Sequence, residues 1–191
     1  MLKKILVTVT AIGLLSMLGG LAGFAVFTDT ASVGSNTFTT GTIIISTSPT
    51  TALVTFSNMA PGDSVQPSAG IVVSNDGTLS LRYAITSTTT EDVLAAALDL
   101  TIREIDADAT IACDDFDGAV IYATADLGST GGIDVIGNPL QGNQGTDRTL
   151  AASVTETLCF RVALPLTATG PEGVTTTATF AFQAEQTKNN P

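Results

Sequence analysis

The chain contains no histidine and no tryptophan, and it is poor in positive charge. Seven Lys and Arg residues stand against eighteen Asp and Glu residues in 191 positions. The absence of histidine removes the imidazole ligands of a catalytic zinc site and the usual Ser–His or Cys–His pair of a hydrolase. The absence of tryptophan, with only two tyrosines, argues against the aromatic platforms of sugar-binding proteins. We therefore expect a protein that is not an enzyme.

The first 25 residues have the pattern of a secretory signal peptide. Two lysines precede an apolar stretch from Ile5 to Leu18, and Gly23-Phe24-Ala25 places small residues at the two positions read by a signal peptidase. The pattern predicts cleavage after this tripeptide, so that the mature chain begins at Val26. The alternative is a retained membrane anchor, because uncharged residues continue to Thr28 and are numerous enough to span a bilayer.

Removal of residues 1–25 leaves five basic and eighteen acidic residues, a net charge of −13. Such a surface repels nucleic acid and anionic lipid, so neither is expected as a partner, and membrane contact is expected only through the signal segment before cleavage. The remaining length suits one domain. We place it at residues 37–187, between an extended segment at 26–36 and a tail at 188–191.

The composition and the hydrophobic periodicity predict an all-β fold, a jelly-roll-like antiparallel β-sandwich with one short helix and long surface loops. Hydrophobic residues make up 44% of the chain and charged residues 13%, a mixture typical of half-buried strands joined by turns. Between Leu79 and Thr86, apolar residues alternate with Ser80, Arg82 and Thr86, which predicts one wet face. Further strands are predicted at 38–45, 53–57, 65–74, 98–105, 120–123, 158–164 and 174–182.

Two segments interrupt the strand pattern. Glu91–Ala97 is rich in helix formers and opens with two carboxylates, so it predicts a short helix with Thr90 as its N-cap. Gly128–Gly145 is rich in Gly and Asn and has no periodicity, which predicts a long surface loop.

Cys113 and Cys159 are the only cysteines. In a secreted chain they predict an intramolecular disulfide. Because Cys159 alternates with the inward-facing Phe160, the bridge is expected on the outer surface of its strand rather than in the core. The alternative is a covalent link between subunits.

The densest acidic group, Asp114, Asp115 and Asp117, precedes Gly118, and Asp106 and Asp108 lie just before it. Closely spaced carboxylates followed by a glycine turn suit calcium, although the remote Glu of an EF-hand loop is missing. A calcium site and a solvated acidic loop are the two interpretations. No other cofactor is expected.

Several segments of the chain, in this order, resemble the TasA and camelysin family of secreted matrix-fibre proteins. An aromatic-Thr-Asp stretch follows the predicted cleavage site, a Thr-Phe-x-x-Gly-Thr segment opens the first strand, and a Pro-Gly-Asp turn and an Asn-Asp-Gly-Thr turn come next. These are Phe27-Thr28-Asp29, Thr37–Thr42, Pro61-Gly62-Asp63 and Asn75–Thr78, and the chain closes with the matching Phe180-x-Phe182-x-Ala184-Glu185-Gln186.

The resemblance implies a structural subunit of an extracellular filament or pilus-like fibre, located at the cell surface or in the biofilm matrix. It implies a homopolymer formed by donor-strand exchange, in which the mature N-terminus fills a groove of its neighbour. The implied donor residues are Val26, Phe27, Thr28, Asp29, Thr30 and Ala31. The family also has a camelysin metalloprotease label, against which the absence of histidine counts. The alternative function is a monomeric secreted β-sandwich that binds a surface or a carbohydrate.

Overall fold

The computed structural model describes residues 3, 5, 8–10, 37–51, 58–105, 113–169 and 172–190. The chain divides into two compact units, Met1–Thr39 and Thr40–Pro191. In the first unit, residues 3, 5 and 8–10 are helical, and Phe38 is 93% exposed on an irregular segment. The second unit contains all of the strands described below.

The described part of the chain forms ten strands and one short 3-10 helix, Ala95–Ala97. The strands in chain order are β1 Ile45–Ser48, β2 Ser64–Val65, β3 Ile71–Asn75, β4 Leu81–Thr89, β5 Asp99–Glu104, β6 Val120–Asp126, β7 Ile133–Ile136, β8 Arg148–Leu150, β9 Thr155–Ala163 and β10 Ala178–Gln186.

The strands form two antiparallel sheets that pack as a sandwich, which confirms the predicted fold class. The first sheet has the order β1-β3-β9-β5-β6, and β2 also pairs with β9. The second has the order β10-β4-β7, and β8 pairs with β4 on the same edge as β7. At one side of the sandwich β1 approaches β10, and at the other β6 approaches β7.

The core lies between the sheets and consists of the inward residues of the alternating strands. Burial of each large aliphatic side chain contributes about 1.5–3 kcal/mol, so these residues supply most of the driving force for folding. The residues with no exposed surface include Val73, Leu81, Ile85, Leu100, Ile102 and Leu158.

The predicted wet face of β4 is wrong at Arg82, although Ser80 is exposed and Thr86 is half-buried, so only the first half of the strand is buried on both faces. Arg82 and Ala84 are 5% and 3% exposed, although they alternate with the core residues. The reason is the segment between β7 and β8, which lies against this outer face and lines a cavity together with both residues. The alternation of residues within β4 cannot predict this burial, because the segment that covers Arg82 comes from a distant part of the chain.

The predicted loop at 128–145 is wrong over Ile133–Ile136, because these residues form β7 and pair with β4. A four-residue strand flanked by glycines gives too short a pattern for period-two alternation to be recognised. Its pairing partner, rather than its own sequence, determines that it is a strand.

Other boundaries also differ from the prediction. The first strand begins at Ile45 rather than at residue 38, and the predicted strand at 65–74 is divided between β2 and β3. The last two strands, β9 and β10, extend over Thr155–Ala163 and Ala178–Gln186, a shift of a few residues in each. The predicted strand at 53–57 lies outside the described residues.

The predicted helix at Glu91–Ala97 shortens to the single 3-10 turn, and Thr90 is not its cap. The carboxylate of Glu91 accepts hydrogen bonds from the backbone N–H groups of Val93, Leu94 and Ala95, at 2.7, 2.9 and 3.2 Å. Asp92 accepts two more from the backbone N–H and hydroxyl of Thr130, at 2.6 and 2.8 Å. Two acidic side chains therefore hold this turn in place.

The same hydrogen bonds lower the pKa of both carboxyls. For Glu91 the desolvation caused by its surroundings acts in the opposite direction, but the bonds from the turn outweigh it. For Asp92 the bond from the Thr130 N–H is the largest cause. A carboxyl with a depressed pKa in the folded state stabilises the protein above the pKa of the unfolded chain, and the contribution is lost as the pH falls through the folded value.

We expect Glu91→Ala to lower the melting temperature at pH 7 by about 2–4 °C, the loss typical of one capping interaction in a chain of this size. The difference from the unchanged protein should shrink as the pH falls through the lowered pKa of Glu91 in the folded state, below which the carboxyl is protonated in both states. Thermal melts followed by circular dichroism between pH 2.5 and 7 measure this. Glu172→Ala, which removes an exposed carboxylate, is the matched control. A difference that is independent of pH would contradict the capping role.

Candidate functional site

Strand β10 lies at the edge of its sheet. It pairs with β4 along its whole length, from Ala178 opposite Thr89 to Gln186 opposite Leu81. Among the described residues no strand pairs with its other edge. Thr187 N–H donates to Ser80 O at 3.2 Å, so by alternation the backbone N–H and C=O groups of the even-numbered residues of β10 point to the open edge.

The even-numbered residues of β10 also carry its apolar side chains. The Phe180 ring lies 5.1 Å from that of Phe160, and the Phe182 ring 6.3 Å from that of Tyr83, measured between centroids. Both phenylalanines pack against the core but are only partly buried. Ile45 of β1, at the facing edge of the other sheet, is partly buried in the same way. Among the described residues, the side of the sandwich between β1 and β10 therefore has an open strand edge beside half-buried apolar side chains.

The outer face of β10 is held by a polar cluster around Arg82. The guanidinium donates to Glu185 at 2.5 Å and lies 4.0 Å from Asp147. Glu185 also accepts from the Gly142 N–H at 3.0 Å and from Asn190 at 2.8 Å. Burial opposes the charged form of Glu185, but the hydrogen bonds from Arg82, Gly142 and Asn190 together outweigh it, so the pKa of this carboxyl is lowered. The cluster ties β10, β4 and the β7–β8 segment into one rigid unit.

A second polar cluster joins the two sheets. Tyr83 of β4 donates to Glu156 of β9 at 2.5 Å, and Arg148 of β8 bridges Glu156 and Glu104 at 2.5 and 2.8 Å. Burial, together with the hydrogen bond to Glu156, raises the pKa of the Tyr83 hydroxyl above its ordinary value. These groups provide one another with hydrogen-bond partners and opposite charges, so the cluster fixes how the two sheets are aligned.

The predicted disulfide is confirmed. Cys113 and Cys159 are bonded within the chain, with Cα atoms 5.4 Å apart. With Phe116 they form a small buried cluster separate from the main core, as the outward position of Cys159 predicts. The guanidiniums of Arg103 and Arg161 lie over the Phe116 ring, 5.2 and 4.3 Å from its centroid.

The other predicted site residues fall in different places. Ala25 and Val26 at the cleavage site, and the donor residues 26–31, lie outside the described residues. Asp114, Asp115 and Asp117 are exposed. In the described ranges no three His, Cys, Asp or Glu side chains are grouped so that they could hold a metal ion. A calcium site at these three residues therefore stays a prediction.

Sequence reasoning missed the open edge of β10 and the pair of arginines on Phe116. Strand order decides which strand is at an edge, and the phenylalanine is brought to the arginines by the disulfide. The one available signal was that Arg161 is two residues from Cys159, so both lie on the outer face of the same strand.

The comparison with protein families then decides the relationship. The family model described as camelysin metallo-endopeptidase matches residues 1–116. The chain belongs to this family. Membership, together with the disulfide, indicates a secreted surface or matrix protein. No curated protein matches the chain. Within the described residues no helix is both long and apolar enough to cross a bilayer.

The family match corrects one expectation. The chain was expected not to be an enzyme, whereas its family is described as a metallo-endopeptidase. The described residues do not fit the metal that this description implies, because the chain has no histidine, both cysteines are bonded to each other, and no acidic trio is assembled. We therefore derive no catalytic step through a metal.

The disulfide should contribute substantially to stability. It closes a segment of 46 residues, for which the chain-entropy estimate is about 4 kcal/mol. We expect the double variant Cys113→Ser/Cys159→Ser to melt about 10 °C lower than the oxidised protein. Mass spectrometry of non-reduced peptides should show one linked pair within a monomer. Covalent dimers in place of that pair would contradict the intramolecular bridge.

Proposed function

We propose that the chain is a structural subunit of an extracellular filament or pilus-like fibre. In this proposal the mature N-terminal segment, residues 26–36, adds to the open edge of β10 in the neighbouring subunit. The observation that carries the proposal is this edge, which combines unpaired backbone groups with half-buried phenylalanines. Signal cleavage before Val26 would release the donor segment, and the family's secreted or surface character supports export.

The open edge of β10, the proposed acceptor groove, matches the donor segment in length and in pattern. Residues 26–36 number eleven and β10 numbers nine, so the donor can cover the whole edge. Val26, Thr28 and Thr30 alternate with Phe27 and Ala31, so one set faces the groove and the other faces outward. Each main-chain hydrogen bond contributes about 0.5–1.5 kcal/mol, and the cover of half-exposed aromatic surface adds to it.

The alternative function is a monomeric protein that binds a polar surface or a carbohydrate. A cavity of about 300 Å³ favours it, since Asn138, Gln141 and Gln183 line it with amide groups beside Asp147. Amides and carboxylates are the groups that bind sugar hydroxyls. Electron microscopy of the secreted protein distinguishes the functions, because only the first gives filaments.

Deletion of the donor segment tests the proposal from the donor side. A chain that starts at Thr37 should keep the circular dichroism of a β protein and should form no filaments, because its groove finds no donor. A peptide of residues 26–36 should bind this truncated chain, and a peptide of the same composition in scrambled order is the control. Normal polymerisation of the truncated chain would show that another contact drives assembly.

A proline in β10 tests the acceptor side. Ala184 is an even-numbered residue, so its N–H points to the open edge and Ala184→Pro removes one donor while leaving the β4 ladder intact. We expect a folded subunit that forms filaments at least tenfold more slowly, measured by light scattering and electron microscopy. Gln183→Ala, on the exposed outer face, is the control. Equal rates for Ala184→Pro and the unchanged protein would place the acceptor elsewhere.

A further inference from the structure

The four arginines of the chain divide into two kinds. Arg82 and Arg148 each lie within ion-pair distance of two carboxylates. Arg103 and Arg161 instead stack on Phe116, and no carboxylate of the described residues lies within ion-pair distance of either. In a chain with eighteen acidic residues and four arginines, two guanidiniums on one ring, neither paired with a described carboxylate, are a local excess of positive charge.

These arginines lie on the outer face of the first sheet. Arg103 is opposite Cys159 in the β5–β9 ladder, and Arg161 is opposite Thr101. Arg103 donates to Gly118 O at 3.1 Å, and its Nε is buried with no partner among the described residues. The Arg161 side chain makes no hydrogen bond with a described residue. Arg161 therefore has the greater donor capacity left for another molecule.

Two exposed carboxylates stand beside the arginines. Asp114 and Asp115 immediately precede Phe116 and are exposed. Their turn is fixed by the disulfide and by Gln66, whose amide donates to the carbonyls of Cys113 and Asp114 at 2.7 and 3.0 Å. Phe116 thus follows the acidic pair in the chain and contacts both arginines, yet neither aspartate lies within ion-pair distance of either arginine.

We propose that this surface, formed by Arg103, Arg161, Asp114 and Asp115, binds the same surface of a second copy of the chain. A contact between two copies related by a twofold axis brings the aspartates of each onto the arginines of the other. Positive and negative groups side by side make the surface complementary to itself, whereas a nucleic acid or an anionic lipid is repelled by the aspartates and by the net charge. The stacking on Phe116 keeps the guanidiniums in position.

The contact does not rest on donor-strand exchange, since it uses the first sheet and not β10. If filaments form, it would join them side by side; if they do not, it would join two soluble subunits. Electron microscopy and sedimentation velocity therefore measure it in either case, the first as the width of bundles and the second as the dimer fraction. The number of single filaments reports on donor-strand exchange separately.

A charge exchange tests the proposal with the full secreted chain. Arg161→Glu and the double variant Asp114→Lys/Asp115→Lys should each reduce self-association at least tenfold at low salt, because each places like charges opposite one another. An equimolar mixture of the two should restore it, because the changed surfaces then complement one another. The loss of self-association in each variant and its recovery in the mixture should both be smaller at 0.5 M NaCl, where screening is strong.

The control is Asp126→Lys/Glu172→Lys, which changes the net charge as much as the double aspartate variant does, at two other exposed positions. It should leave self-association as it is. Melting temperatures show whether each variant is folded. If Arg161→Glu does not fold, Asp114→Lys/Asp115→Lys alone must still lose self-association. The proposal is overturned if the unchanged protein does not self-associate, if the variants do so normally, or if the mixture shows no recovery.

Discussion

The pairing of β4 with β10 is the constraint on which the rest of the structure depends. Strand β4 is paired along both edges, and its residues from Leu81 to Ile85 are all buried, so it is the central strand of the second sheet. Its inward Tyr83 reaches β9 across the core, and its outward Arg82 anchors Glu185 and the β7–β8 segment. Because β7 and β8 occupy the far edge of β4, β10 is left as an outer strand. The open edge of β10 is thus a consequence of the strand order around β4.

Alternation predicted the sandwich and the outward position of Cys159, because both depend only on which residues of one strand face the core. The same reasoning could not find β7, whose four residues become a strand only by pairing with β4. It also placed Arg82 in water, although the covering segment lies more than fifty positions later in the chain. The candidate groove was beyond prediction for a similar reason, since the sequence of β10 predicts a strand but not that it is at an edge.

The arginines that stabilise the fold are different residues from those in the proposed contact between two copies of the chain. Arg82 neutralises Glu185 and joins two strands of the second sheet, whereas Arg148 neutralises Glu156 and Glu104 and joins the two sheets. Removing either would leave acidic groups partly buried without a partner, which is costly. Arg103 and Arg161 lie within ion-pair distance of no described carboxylate and are on the outer face beside Phe116. The structural charges and those available to a partner are therefore different residues.

This separation bears on how so acidic a chain would form the two proposed contacts. Copies with a net charge of −11, or −13 after the proposed cleavage, repel one another, and the repulsion is strongest at low ionic strength. A donated strand can overcome this repulsion through main-chain hydrogen bonds and buried apolar surface, which depend little on salt. Added salt screens the repulsion and therefore strengthens such a contact. A contact between the arginines and aspartates beside Phe116 weakens under the same conditions. The two contacts thus have opposite salt dependence, and high salt should favour long single filaments while low salt favours their lateral association.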